Sequence, residues 1–228
     1  MAIKRIHLHQ VTLTRHLLVE LKAIKELQHD NLVRFYGACM DPIYPVLVTE
    51  YCPRGSLQDI LEEDEMKIEW NFKQSLIMDI LKGLSYLHLG ALMCHGNMKS
   101  SNCVVDSRFV LKLTDFGLLA VRRNLDLDKD SYEHHKSRLW TAPEHLRTGG
   151  GGGGGGELCS RAGDVYSLGI ILHEIIDRAG VWALNTNTME DEDEDYLEPK
   201  VSSFSQGKVE LTVSSHIADI LTGVTDWC

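Results

Sequence analysis

The sequence predicts an α+β fold with its helices segregated from the main sheet. Three observations predict it: a strand-and-helix start, a larger helical body that carries a small hairpin, and a polar tail. Residues 1–6 are short and β-like. Residues 14–27 then place Leu17, Leu21, Ile24 and Leu27 on one stripe at helical spacing. Residues 46–51 (VLVTEY) form an apolar, β-branched run long enough for a buried strand, closed by a Cys52-Pro53-Arg54-Gly55 turn. Ser56 opens a short helix with Asp59 three residues on, the spacing of a capping box.

Over residues 72–89 the apolar positions Phe72, Leu76, Ile80, Leu84 and Leu87 predict a long amphipathic helix ended by Gly90. Residues 103–105 and 109–113 are two short β runs separated by Asp106-Ser107-Arg108, a hairpin. Residues 165–176 are almost wholly apolar and predict a helix in the middle of a domain, with Asp164 as its cap. Residues 149–156 are eight consecutive glycines, read as a flexible loop insertion.

With 43% hydrophobic residues, the 228-residue chain can bury one sizeable core or two small ones. No window approaches the apolar length of a membrane span. The N-terminus lacks the apolar core of a secretion signal. These features predict a soluble intracellular chain. The net charge of −10 is uneven: residues 183–228 carry ten acids and two lysines, including the run 190–195 (EDEDED), while the body is nearly balanced. A balanced body argues against nucleic-acid binding, which needs a basic face. The six cysteines show neither a C-x-x-C pair nor zinc spacing, and predict reduced thiols.

Three polar clusters interrupt the apolar pattern, each at the end of a strand or between two strands. They are Lys4, the stretch His95-Gly96-Asn97-Met98-Lys99-Ser100-Ser101-Asn102, and Asp115-Phe116-Gly117. Lysine, asparagine and aspartate converging at one mouth would make a phosphate and Mg²⁺ site. Taken singly each has a plainer reading: Lys4 as a solvated terminal lysine, Glu20 as a helix surface charge, Asn97 and Asn102 as turn caps. The histidines away from this stretch, including the His134–His135 pair, read as solvated loop residues.

Taken together, the clusters resemble protein kinases. Ala2-Ile3-Lys4 looks like the third-strand lysine motif, with Glu20 in place of its helix partner. Asp115-Phe116-Gly117 resembles the metal-binding triplet, Ala142-Pro143-Glu144 the end of the activation segment, and 164–169 (DVYSLG) the start of the central C-lobe helix. The stretches 34–39, 49–61, 95–106 and 139–144 are similar to the kinase-homology domain of receptor guanylate cyclases. The resemblance implies a two-lobe kinase-like fold, with a partial N-lobe over 1–51, a partial C-lobe over 52–182, and an acidic tail of unassigned structure over 183–228. The chain has no room for the family's glycine-rich loop upstream of Lys4, so the N-lobe is expected to be truncated and its sheet to keep an exposed edge. The late C-lobe is expected to be truncated as well.

The same resemblance implies ATP with Mg²⁺ held by Lys4, Glu20, Glu50, Cys52, Lys99, Asn102 and Asp115, with Asn102 and Asp115 on the metal. It implies a cyclase domain of the same parent protein as partner, a homodimeric parent receptor, and a place on the cytoplasmic side of the plasma membrane. An active kinase presents His-Arg-Asp; here His95-Gly96-Asn97 puts an amide where the proton-accepting aspartate stands. No catalytic residue is therefore expected. Asp164 is expected to brace the backbone of this loop. The residues leave three readings: a regulatory pseudokinase, an active kinase with an atypical loop, and a scaffold that binds no nucleotide.

Overall fold

The computed structural model describes residues 1–5, 14–39, 45–63, 65–118, 136–148, 159–178 and 181, all within the first of the chain's two units, Met1–Asn185. The glycine run, His134–His135, the acidic run at 190–195 and Cys228 lie outside the described residues.

The N-terminal part is a three-stranded antiparallel sheet with one helix. Strand β1 (Ala2–Arg5) and β2 (Phe35–Cys39) flank β3 (Val46–Thr49), giving the order β1-β3-β2, with Lys4 opposite Leu47. β1 is an edge of this sheet, and Ile3 on it is exposed. Helix α1 (Arg15–Glu26) starts where the Thr14 hydroxyl accepts from the Leu17 amide at 3.2 Å, and it buries Leu17 and Ile24 of the expected stripe. β3 stops two residues short of the expected end. The Glu50 amide donates to the Arg34 carbonyl at 2.8 Å, and the chain then turns through Gly55, whose φ of +78° suits a residue without Cβ.

The larger part is helical. α2 (Leu57–Glu62) begins with the expected capping box of Ser56 and Asp59. α3 (Trp70–Leu89) buries Leu76, Ile77, Ile80, Leu84 and Leu87 and ends at Gly90. The hairpin is β4 (Cys103–Val105) with β5 (Leu111–Leu113), Val104 facing Lys112. Phe109, expected in the second strand, belongs to the turn, with φ at +63° and the Arg54 guanidinium 3.4 Å above its ring. α4 (Pro143–Thr148) and α5 (Arg161–Asp177) follow.

Two expectations for α5 are corrected. Its cap is Ser160, whose hydroxyl accepts from the Gly163 amide at 2.9 Å; Asp164 lies inside the first turn. The helix also has a solvent face, with Val165 and Gly169 exposed. Its buried face includes Asp164, Ser167 and Glu174, so polar residues occupy positions that an apolar count cannot recognise. At its end Arg178 donates to the carbonyls of Leu61, Glu63 and Met66, fixing the α2–α3 connection.

The core lies between α3, the hairpin and α5, where Leu76, Ile80, Leu87, Leu111, Leu113, Ile171 and Ile175 are fully buried. Each contributes roughly 1.5–3 kcal/mol by leaving water. The two parts are joined by the segment after α1. Leu113 donates to the Asn31 carbonyl at 2.9 Å, Val33 donates to the Leu113 carbonyl at 2.9 Å, and the Asn31 amide donates to the Leu111 carbonyl at 3.0 Å. Gly83 on α3 permits this approach, since a Cβ there would lie 2.7 Å from the Asn31 oxygen. The segment between α1 and β2 is thus bonded along the strand that leads to Asp115.

Candidate functional site

The three polar clusters meet. Asp115 follows β5 by two residues, and the Lys4 ammonium on β1 pairs with its carboxylate. Glu20 on α1 stands against Gly117; a Cβ on that glycine would lie 3.5 Å from its Oε1. Gly117 donates to the His95 carbonyl at 3.2 Å, and the buried Phe116 ring meets the His95 ring edge-on, centroids 6.0 Å apart. Thr114 donates to the Asn102 carbonyl at 3.0 Å, which ties the Asp115-Phe116-Gly117 stretch to the loop ahead of β4. Lys4, Glu20, Asn102 and Asp115 therefore lie around the same short stretch, Thr114 to Gly117.

The loop itself is built around Asp164. Its Oδ2 accepts from the His95 amide at 2.7 Å and from His88 Nε2 at 2.8 Å, and its Oδ1 accepts from the Gly96 amide at 2.9 Å. Burial pushes this carboxyl up, but the bonds from His88 and the two amides outweigh it and hold the group below the usual carboxylate range. Asp164 braces the loop, as expected. His88 corrects the reading of the outlying histidines as solvated: it lies on α3, half-buried, as a partner of Asp164. His145 corrects it too, packing over Gly163 and lying 3.0 Å from the Ser160 hydroxyl. Neither role was legible, because each partner lies far away in sequence or across a turn.

Within the braced loop, Asn97 donates its backbone N–H to His95 Nδ1 at 3.2 Å, and Asn102 Nδ2 donates to the Asn97 carbonyl at 2.8 Å. That bond leaves the oxygen end of the Asn102 amide as the end suited to a cation. Asn97 offers an amide, which cannot take a proton near neutral pH. A second buried carboxylate supports the loop from below. Glu174 accepts from the Ser100 hydroxyl and from Trp140 Nε1, both at 2.8 Å. Burial dominates there and raises its pKa, with the two neutral donors opposing it only in part.

Glu50 and Cys52 sit around a different charge. The Glu50 carboxylate pairs with Lys112 on β5 and accepts from the Arg34 amide at 3.2 Å. Lys112 is buried and also lies 3.9 Å from Asp106. Burial, with Glu50 beside it, pushes the Cys52 thiol up to about 11, so it stays protonated. Lys112 stands between two β residues, a place that gives no sign of burial in the sequence. Lys99 precedes the 3₁₀ turn Ser100–Asn102 and lines two cavities, of 70 and 190 Å³, neither of them lined by Lys4 or Asp115.

The expectation of reduced cysteines is overturned at one pair. Cys94 and Cys159 are joined as a disulfide, with Cα atoms 6.1 Å apart. They are separated by 65 residues in sequence, and only the packing of the loop onto the start of α5 brings them together. Cys39, Cys52 and Cys103 are free thiols.

A lysine paired with an aspartate and a braced loop that holds Asn97, arranged between a small sheet and a helical body, define a protein-kinase-like domain. The family described as protein tyrosine and serine/threonine kinase matches residues 1–198, and the chain belongs to it. It is 49% identical over 183 residues to atrial natriuretic peptide receptor 2 of Homo sapiens, covering 80% of this chain and 17% of that protein. It is 50% identical over 179 residues to the receptor of the same name in Anguilla japonica, covering 78% of this chain and 17% of that protein. A receptor-type guanylate cyclase of Caenorhabditis elegans is 43% identical over 214 residues, covering 87% of this chain and 16% of that protein. The chain thus spans about a sixth of the length of these curated relatives. It corresponds to the kinase-homology region of receptor guanylate cyclases. Among the described residues, no helix is long and apolar enough to cross a membrane.

Proposed function

We propose that this chain is a regulatory pseudokinase segment, which binds a magnesium nucleotide without turning it over and thereby biases a guanylate cyclase domain of its parent protein. The observation that carries the reading is the pairing of a kept ligand mouth with a changed base: Lys4 lies on Asp115 beside Asn102, while Asn97 stands in the braced loop. Loss of a general base alone removes roughly 10²–10⁴-fold in rate.

The donor set fits Mg²⁺ with ATP. The Lys4–Asp115 pair is self-neutralised, so a bare phosphate would strand the aspartate and a bare cation would strand the lysine. A magnesium nucleotide splits the pair and leaves neither charge alone: Lys4 would take a phosphate oxygen, and Asp115 with the Asn102 carbonyl oxygen would hold the metal. When bound, the ligand supplies charge and binding energy to the mouth. Glu20 would help to orient Lys4, while Lys99 faces cavities that Lys4 and Asp115 do not line. Glu50 and Cys52 would act through the backbone at the edge of the site, since the Glu50 side chain is engaged by Lys112. The parent is a homodimeric receptor with this segment on the cytoplasmic side of the plasma membrane, where ligand binding shifts the cyclase between arrangements.

The test is phosphotransfer from γ-labelled ATP to the chain itself and to generic protein substrates. No transfer above background is expected, and none from Asn97→Asp, because a carboxylate at 97 still leaves Gly96 where an active kinase presents the arginine of His-Arg-Asp. Robust, Mg²⁺-dependent transfer by the unaltered chain would favour the active-kinase reading and overturn this one.

A further inference from the structure

We propose that Cys94 and Cys159 form a reversible redox clip that fastens the catalytic-loop backbone to the start of α5, and that reduction loosens this junction. Three ties run side by side across it. Arg161 Nε donates to the Met93 carbonyl at 3.4 Å, Cys94 joins Cys159, and the His95 and Gly96 amides bind Asp164. The disulfide is the covalent member of this set. It lies one residue from each element it connects: Cys94 precedes His95, and Cys159 precedes the capping Ser160. Cys159 also lines the 70 Å³ cavity beside Asn97 and Lys99, so the clip forms part of the wall facing the altered loop. The inference stands apart from the nucleotide reading.

The pair is placed to react. Both cysteines are partly exposed, whereas Cys103 is fully buried and the Cys52 thiol is held protonated. Cys159 stands just ahead of the N-terminus of a 17-residue helix, one residue before its capping Ser160. The oxidant is a small disulfide such as glutathione disulfide. The Cys159 thiolate attacks one of its sulfurs, forming a mixed disulfide and releasing one glutathione thiolate. The Cys94 thiolate then attacks the Cys159 sulfur and releases the second. One S–S bond breaks in the reagent and one forms in the protein. Two electrons pass from the protein sulfurs to the reagent, and the two thiol protons end on the two glutathione molecules. Excess reduced glutathione or dithiothreitol reverses the sequence.

The experiment compares the full chain poised in glutathione disulfide with the same chain in dithiothreitol. Non-reducing digestion with mass analysis should link the peptides holding Cys94 and Cys159, with the exposed Cys39 as an internal control that forms only the mixed disulfide. Reduction should lower Tm by roughly 5–15 °C. It should also speed hydrogen exchange at the His95 and Gly96 amides at least tenfold beyond any change at Ile80 in the core. Cys159→Ser should abolish the redox dependence of Tm and behave like the reduced parent. The unaltered chain carries the test by itself if that variant does not fold. Alkylation of both cysteines in the glutathione-disulfide sample overturns the proposal. So does a Tm that differs between the two conditions by less than about 2 °C, or a redox shift that survives in Cys159→Ser.

Discussion

Asp164 and Asp115 flank the same loop from opposite sides, yet their surroundings differ in kind. The Asp164 side chain is 3% exposed and accepts from two backbone amides and from His88. The Asp115 side chain is 21% exposed and leans on the Lys4 ammonium, which is 57% exposed. A buried carboxylate whose acceptors are all used holds its donors in one geometry, because any departure strands a polar group away from water. An exposed ion pair holds little, and water can replace either partner. The frame of the loop is therefore fixed, while the mouth above it is free to exchange partners.

The largest effect that would break this contrast is at the frame. Asp164→Ala should cost about 3–5 kcal/mol, since it strands two buried amides and His88 together. A lower urea midpoint measures it. Equal losses from Asp164→Ala and Lys4→Ala would erase the distinction between frame and mouth.

Acid should sharpen the comparison, because Asp164 and Glu174 lie on the same buried face of α5 and are shifted in opposite directions. The Asp164 carboxyl is held below its unfolded value, so its contribution is present above the ordinary carboxylate pKa of about 4. That contribution is lost as pH falls through the lower folded value. Glu174 is raised, so the folded chain holds its proton more tightly; that contribution is present below the ordinary value and lost as pH rises through the raised one. Two backbone amides and the His88 ring nitrogen aimed at the carboxylate account for the first case, and burial against only two neutral side-chain donors for the second. Urea midpoints taken between acid and neutral pH should fall on acidification in the parent and fall less in Asp164→Asn. Glu174→Gln should flatten the opposing rise, with Trp140 fluorescence reporting locally.

The smallest effect on stability belongs to the mouth. Lys4→Ala should cost under about 1 kcal/mol in the absence of ligand. A loss several times larger would place Lys4 in the frame.

Most of the scaffold could be read from the sequence because it follows simple periods. The stripe Leu17–Ile24, the capping box at Ser56, the helix through Ile80 and the short hairpin each depend on residues close in the chain. Lys4, Asn102 and Asp115 were legible as polar breaks at strand ends, and their convergence followed from the family resemblance. What stayed hidden depends on tertiary packing. Ser160 took the cap because Asp164 was drawn inward by the His95 and Gly96 amides. His88 and Lys112 look like surface residues until their acidic partners Asp164 and Glu50 are in place. The Cys94–Cys159 pair has no spacing signature, since a 65-residue separation is closed only by the fold. Phe109 has strand composition but ends in a left-handed turn, capped by the Arg54 guanidinium.

The central claim is that the mouth exchanges its internal ion pair for a magnesium nucleotide. Thermal melts of the full chain with ATP and Mg²⁺ together, with ATP in chelator, and with Mg²⁺ alone test it most directly. The account predicts a rise in Tm with the two together at millimolar concentration, by preferential binding to the folded state. It predicts little with either alone, and no rise for Lys4→Ala. An unchanged Tm with both present, or the same rise in Lys4→Ala as in the parent, would contradict it and leave the domain as a scaffold.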